Sequence, residues 1–527
     1  MKIKFDEYIS SIAGASIVLV VFSILVRGIG FVREIVYARE FGLSKEFDLY
    51  LVASVIPLTL NTVIYFIGQN FFIPNYSRLI LKDEYKSEQF LKVSFLFFGL
   101  FSFIAGLLSF IFADKLLYIL FGPNSASDNL SISVFRIYSI SIPVAGFVSI
   151  LSAYFNYKKK FVHPALSALF LNIIIIVSVI IFNSAIGILS IAFGYLIGSI
   201  IQLIFLFYTS EVAQKKIFQK PTSIIHLKEY FNYTFLMIII IESVGQVYAI
   251  ADRLFFNYVS QGGISAINYA QTLSSLPITI ITVSLGTAIF TKISNDINVN
   301  HSDVANSIVD SIAITLIIFI PIIFIFNFWG EGVVAVLLQR GKFVETDSYT
   351  TADALKYLNY GLIFYAVYAI FNKVMYSAKL IKQLLFITLS GIFLKILLNL
   401  IFVKYLDYRG LTLSTALSYL YFFITSGFIL YKYFNFKWVL KSSYDFILLL
   451  TNGLFALLFT EILFSILNFS SFYFITLKLL IFIIIYLLNL LLVRHNQSEL
   501  IFNHFLGPRI ISKMKFLLLI RFQNERL

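Results

Sequence analysis

A chain of 527 residues that is 59% hydrophobic, 18% aromatic and only 13% charged, with a mean hydropathy of +0.90, lies far outside the composition of soluble domains. The absence of cysteine excludes disulfides, thiolate metal centres and cysteine nucleophiles, and five scattered histidines give no ligand spacing. A net charge of +13 would suit a nucleic-acid partner, but the basic residues fall in short loops between apolar runs, as membrane orientation signals do, so no nucleic-acid partner is expected.

A span takes about 20 apolar residues, and such runs recur from residue 10 almost to 493, which predicts an all-α polytopic membrane protein of about 14 transmembrane helices. Span 1 covers 9–40 and span 2 covers 47–81, with Gly42 in the turn, where a positive φ is easily reached. Both exceed the length a perpendicular crossing needs, and Pro57 and Pro74 are kink positions in the second. Arg27, Arg33, Glu34, Arg39 and Glu40 follow directly on the apolar run 13–26. Charges at bilayer depth are costly unless they face a partner or a wet cavity, which points to a transport or binding lumen. The alternative is juxtamembrane charge on a long helix end.

Spans 3 to 6 cover 90–113, 130–157 (interrupted at Pro143), 164–182 and 186–208, and the Lys-rich linker 211–228 follows as a boundary. Spans 7 (229–259) and 8 (264–293) form a second long pair around Gln261-Gly262-Gly263. Spans 9 to 12 cover 304–329, 354–378, 384–403 and 411–433, and spans 13 and 14 cover 444–467 and 472–492. The tail 495–527 reads as a basic amphipathic segment at the cytoplasmic interface, with plain disorder as the alternative. Lys-rich loops at 78–92, 158–160, 215–228, 379–382 and 432–441 share one side, which places both termini in the cytoplasm.

The two long pairs are weakly self-similar: each has a charged helix, a short turn, a Tyr or Asn-Tyr, a small residue and then Pro57 or Pro277. The pattern predicts two six-helix lobes, 1–210 and 229–434, related by a pseudo-two-fold around a central cavity, with 435–494 adding two C-terminal helices. Such repeats mark secondary transporters that alternate access around a shared site.

Within span 1, Arg27 and Arg33 lie about 120° apart round an ideal helix, while Glu34, seven residues after Arg27, returns to nearly its face and is expected to pair with it. In span 7, Glu242, Gln246 and Arg253 fall at i, i+4 and i+11, one face of a helix. Glu242 is expected to point inward, to balance substrate cations, take up a proton or satisfy Arg253. Lys373 is an intramembrane cation in span 10, whereas Arg136 and Lys395 lie close enough to span ends to snorkel. Asn399 is the kind of residue that lines a cation site or simply packs helices. No catalytic motif and no metal site appears, so the chain reads as no enzyme. It needs no cofactor beyond an energy source: a Na⁺ or H⁺ gradient, the membrane potential or a substrate gradient.

RGIGFVREIVYAREFG followed by FDLYLVASVIP resembles the N-terminal signature of the MurJ/MviN family, the lipid II flippases of the MOP exporter superfamily. Further matches follow in order: ILSAYFNYKKKFVHPALSALFLNI, DRLFFNYVSQGGISAINYA, LLQRGKF and KVMYSA. The resemblance implies a two-lobed, multi-pass protein of the bacterial inner membrane, working as a monomer among membrane lipids. Its cargo would be a polyprenyl-pyrophosphate-linked glycan, first of all lipid II for peptidoglycan synthesis. The alternatives are a flippase for an O-antigen or capsule-type lipid-linked oligosaccharide and a MATE-like cation or drug antiporter. The family's two helix-1 arginines match Arg27 and Arg33, and its acidic residue after the first turn matches Asp48. The chain departs from the pattern at Asn61 and Thr62, where the family's helix 2 has Arg, at Thr272, where its helix 8 has Arg, and at Phe66-Ile67, where it has Ala-Glu before the glycine. Arginine suits this cargo because its planar fork binds phosphate oxygens bidentately. The expected substrate-binding set is Arg27, Arg33, Asp48, Asn61, Arg253 and Lys373, the last two compensating for the missing arginines. Glu34, Glu242 and Gln246 are left for coupling or ion pairing.

Overall fold

A computed structural model of the chain describes residues 12–122, 128–210, 233–296, 301–434, 438–467 and 474–492. The Lys-rich linker 211–228 and the basic tail 495–527 lie outside the described residues. Every element described is helical: α1 (Ile12–Phe41), α2 (Lys45–Ile80), α3 (Glu84–Ile111), α4 (Ala113–Phe121), α5 (Asn129–Tyr157), α6 (Val162–Ile186), α7 (Leu189–Thr209), α8 (Tyr233–Ile250), a 3-10 turn (Arg253–Tyr258), α9 (Gly263–Asp296), α10 (His301–Phe328), α11 (Gly330–Leu338), α12 (Glu345–Ser377), α13 (Ile381–Leu406), α14 (Tyr408–Phe434), α15 (Trp438–Ile466) and α16 (Ile475–Leu492). Among the described residues, fourteen of these have 18 residues or more, in keeping with the predicted span count. Ten are long and apolar enough on hydropathy to cross a membrane. The chain is an all-α, multi-pass membrane protein.

Two features differ from the sequence reading. The nine-residue helices α4 and α11 were not expected, because they are too short to register as spans; each follows the third long helix of its half of the sequence. Span 7 also stops early. Regular helix ends at Ile250 and the chain continues as the 3-10 turn, so Arg253 lies beyond the regular helix that carries Glu242 and Gln246.

The backbone divides into two compact units, one of Met1–Tyr269, Leu338–Asp347 and Lys395–Leu411, the other of Ala270–Leu337, Ser348–Leu394 and Thr412–Leu527. In the first, α5 is the hub against which α2, α3 and α7 pack, while α6 packs on α7 and α1. Lipid tails offer no hydrophobic drive toward helix association, so close contact through small residues carries it. An added Cβ at Gly99 would meet Phe147, and one at Gly146 would fall on the Phe98 carbonyl and Ser102. A row of polar contacts runs between α2 and α5: Ser149 Oγ donates to the Tyr65 carbonyl (2.6 Å), Gln69 Nε2 to the Ser149 carbonyl (2.8 Å) and Asn156 Nδ2 to Gln69 Oε1 (3.0 Å). In the second unit α15 packs on α10 and α16, with Asn452 Nδ2 donating to the Tyr486 carbonyl at 3.1 Å. Apolar side chains such as Leu100, Phe103 and Ile104 on α3 and Ile180 and Ile181 on α6 are exposed, as lipid-facing residues are.

One glycine tests this packing. A Cβ at Gly68 would lie 2.1 Å from Ser149 Oγ, and that hydroxyl is held in place by its bond to Tyr65. Gly68→Ala is therefore expected to cost about 1–3 kcal/mol through overpacking, read as a lowered unfolding temperature. Gly68→Ala combined with Ser149→Gly should recover most of the loss; no recovery would show that the α2–α5 approach is not set at this contact.

Candidate functional site

Arg33 stands on α1 facing α6, and its guanidinium reaches two ways. Nη1 donates to Asn172 Oδ1 at 3.0 Å and Nη2 to Glu34 Oε1 at 2.6 Å, while the guanidinium carbon lies 5.5 Å from the centre of the Tyr37 ring. The other carboxylate oxygen of Glu34 accepts from Asn268 Nδ2 at 3.4 Å, and Asn268 Oδ1 accepts from Arg253 Nη2 at 3.2 Å. Two guanidiniums are thus joined through one carboxylate and one amide, a chain whose formal charge sums to +1. Arg33 Nε is a buried donor with no hydrogen-bond partner among the described residues.

This relay lines a cavity of about 260 Å³ together with Tyr37, Tyr50, Tyr138, Tyr195 and Gln246, and Leu51, Val55 and Leu58 supply an apolar flank. The tyrosines form a connected wall: Tyr50 and Tyr138 share a hydrogen bond of 2.7 Å between their hydroxyls, and the Tyr138 and Tyr195 rings lie 4.9 Å apart. The cavity combines cationic donors, neutral donors that suit sugar or peptide oxygens, and an apolar side.

Of the expected residues, the structure brings Arg33, Glu34, Gln246 and Arg253 into this one cavity. Asn61 stands just behind its wall, buried, with Nδ2 bonded to Ser141 Oγ at 3.0 Å and more distantly to the Tyr195 hydroxyl at 3.5 Å. Arg27, nearly two turns earlier on α1, is exposed and does not line the cavity. Glu34 pairs with Arg33, not Arg27: seven residues of helix separate Arg27 and Glu34 by about 10 Å along the axis, whereas the long Arg33 side chain folds onto its neighbour. Glu242 does not satisfy Arg253 either: eleven residues of helix would separate them by about 16 Å, and Glu242 accepts from Asn70 Nδ2 at 2.8 Å while Arg253 donates to Asn268. Lys373 lies half-buried on α12 in the second unit, as does Thr272 on α9. Lys395 does not snorkel: it is 1% exposed and paired with Asp252.

Asp48 stands apart from the cavity and is 1% exposed. Its Oδ2 accepts from the Gly262 amide at 2.6 Å, and its Oδ1 from the Ser265 amide at 2.8 Å and the Ser265 hydroxyl at 2.5 Å. A carboxylate from α2 therefore caps the first turn of α9, where unpaired amides and the helix dipole favour negative charge. Nearby, the end of α1 and the turn 42–44 closely approach the loops at Gly262 and Lys342, a Cβ at Gly262 lying 2.8 Å from the Leu43 carbonyl. The Lys342 amide donates to the Arg39 carbonyl at 2.8 Å, and a Cβ at Gly42, whose φ is +56°, would sit 2.6 Å from the Lys342 carbonyl.

The partners Asn172 and Asn268 and the tyrosine wall went unread in the sequence. Asn268 stands in the Asn-Tyr of the second repeated pair, a place where a signal existed. Single tyrosines in apolar helices gave none.

The fold belongs to a known class of membrane transporter. A solved structure described as lipid II flippase MurJ in an inward closed conformation superposes with a TM-score of 0.77 at 23% identity, over 93% of this chain and all of that one. An inward-facing MATE family multidrug resistance transporter of the MOP superfamily superposes at 0.64 and 14% identity, over 77% of this chain and 94% of that one. The sequence pattern of the lipid II flippase MurJ family matches residues 37–488, and the chain belongs to that family. Curated relatives include the probable lipid II flippase MurJ of Borreliella burgdorferi, 25% identical over 423 residues (79% of this chain, 83% of that protein). The probable lipid II flippase MurJ of Buchnera aphidicola subsp. Acyrthosiphon pisum is 27% identical over 475 residues (85% and 89%). The lipid II flippase MurJ of Thermosipho africanus is 27% identical over 427 residues (77% and 83%).

Proposed function

We propose that the chain is a lipid II flippase of the bacterial inner membrane. It moves the lipid-linked head group from the cytoplasmic to the outer leaflet by alternating access between lobes 1–210 and 229–434, as a monomer with both termini inside. The observation that carries this reading is the relay of Arg33, Glu34, Asn268 and Arg253 on one cavity wall. Two guanidiniums against one carboxylate leave positive charge for a pyrophosphate, and the same balance repels a cationic drug. At about 260 Å³ the cavity falls just below the roughly 300–1,000 Å³ of small-molecule sites, so this state holds the scale of a pyrophosphate and not a whole glycopeptide. Arg253 supplies the second guanidinium that Asn61 and Thr272 do not, and Lys373 is the remaining cation for the cargo path. Transport draws on an ion gradient or the membrane potential.

Complementation of a strain depleted of its lipid II flippase is expected to restore growth. Failure to rescue, with restored export of a surface polymer in a strain lacking that exporter, would sink the lipid II assignment. In the complemented strain Arg253→Ala and Lys373→Ala should each slow translocation. Full transport by both would end the compensation role assigned to them.

A further inference from the structure

The end of α8 holds a second polar cluster that the relay does not use. A helix that stops leaves its last carbonyls without intrahelical donors and presents the negative end of its dipole. Two carbonyls at this end, that of Tyr248 in the last turn and that of Ala251 just past it, meet side chains from α13. Tyr248 faces Lys395 Nζ at 3.5 Å, and Ala251 faces Asn399 Nδ2 at 3.5 Å. Asp252, the next residue, receives Lys395 Nζ at 3.0 Å on Oδ2 and Asn399 Nδ2 at 3.2 Å on Oδ1. The ammonium also lies 4.0 Å from the centre of the Tyr248 ring. Lys395, Asp252 and Asn399 are at most 1% exposed, and Asn399 Oδ1 is buried with no hydrogen-bond partner among the described residues.

The oxygens gathered here, one carboxylate, two carbonyls and one spare amide oxygen, are the hard donors that bind an alkali or alkaline-earth cation. The unwound ends of broken helices are where secondary transporters hold a coupling cation. Here an ammonium already occupies that place. We infer that Lys395 is a tethered resident cation, which neutralises Asp252 and the α8 terminus permanently and excludes Na⁺ from this site. A second cation entering beside Lys395 would share a single carboxylate with it inside a medium of low dielectric, where like charges repel strongly. The chain therefore has no Na⁺ requirement at the α8 break, and the inference stands whatever the cargo proves to be. Truncating Lys395 leaves the Asp252 carboxylate and the Tyr248 carbonyl facing a vacancy, with Asn399 and the Ala251 carbonyl next to Asp252, and that vacancy should take Na⁺.

The test is thermal unfolding of the purified full-length protein in NaCl against choline chloride at equal ionic strength. The wild-type midpoint is expected to be the same in both salts. Lys395→Ala should unfold lower in choline and recover with Na⁺ in a saturable way, by about 1–2 °C at tenfold excess over its Kd. Asp252→Asn combined with Lys395→Gln, which keeps a neutral hydrogen-bonded pair and removes the carboxylate, should show no response. A saturable Na⁺ shift in the wild type overturns the inference without any variant being needed. So does a folded Lys395→Ala that ignores Na⁺.

Discussion

Arg33→Ala is expected to lower lipid II translocation in proteoliposomes by about 30-fold or more, since losing one member of a partly buried, hydrogen-bonded charge contact costs roughly 2–5 kcal/mol. The guanidinium is the only group in the relay that reaches α6 and the carboxylate at once, through Asn172 and Glu34, and its Nε is still unused. Arg33→Lys should keep the charge and lose the fork. A lysine ammonium acts as a point charge, so an intermediate loss of about tenfold is expected. The competing explanation is that Arg33 only neutralises Glu34. The double variant Arg33→Ala/Glu34→Ala separates the two. If Arg33 merely holds the helices, removing both charges should restore transport along with the unfolding temperature; if Arg33 holds the pyrophosphate, stability returns and transport does not. Full recovery of transport in the double variant would retire Arg33 as a cargo ligand.

How much of this was legible in the sequence depends on the range of the interaction concerned. Helix count and most boundaries follow from apolar run length, a local quantity. The turn at Gly42 was equally readable, and its φ of +56° is what a glycine there permits. The end of α8 was not readable. Ala251, Leu254 and Phe255 continue the apolar run past Ile250, no Pro or Gly interrupts it, and Asp252 and Arg253 looked like one more polar stripe. The break coincides with Asp252 meeting Lys395 and Asn399, 143 and 147 residues away, and no window on the local sequence contains that contact.

The site divides the same way. Arg33, Glu34 and Arg253 stood out because charge inside an apolar run is rare and expensive. Their partners did not, because Asn172 lies 139 residues from Arg33 and Asn268 lies 234 from Glu34. The pairings drawn from helical periodicity, Arg27 with Glu34 and Glu242 with Arg253, each assumed one uninterrupted helix and side chains that bridge two turns or more. The structure replaces both with shorter contacts to other elements. Periodicity says which residues share a face; it does not say what that face meets.

The second large effect is expected at Asp48. Replacing it with Ala leaves the amides of Gly262 and Ser265 buried without their acceptor, and takes a negative charge from the start of α9. Hydrogen bonds to a charged group contribute about 1.5–3 kcal/mol and a helix-end charge adds up to about 1 more, so Asp48→Ala should weaken the α2–α9 contact by roughly 2–4 kcal/mol. Asp48→Asn keeps one carbonyl oxygen for Ser265 but turns an NH₂ group toward the Gly262 amide, donor against donor, and should fall between wild type and Ala. Ser265→Ala removes only the hydroxyl bond and should cost about 1 kcal/mol. Amide hydrogen exchange over Gly262, Ser265 and Ala266 measures this series directly. The expected order of exchange is Asp48→Ala, then Asp48→Asn, then Ser265→Ala, then wild type. Equal protection in all four would show that the carboxylate does not hold this turn. If the same contact must open once in each transport cycle, 2–4 kcal/mol shifts the closed-to-open ratio by about 30- to 800-fold. The variants would then be slow in transport because the closed arrangement has become scarce, although every residue of the Arg33 cavity is intact.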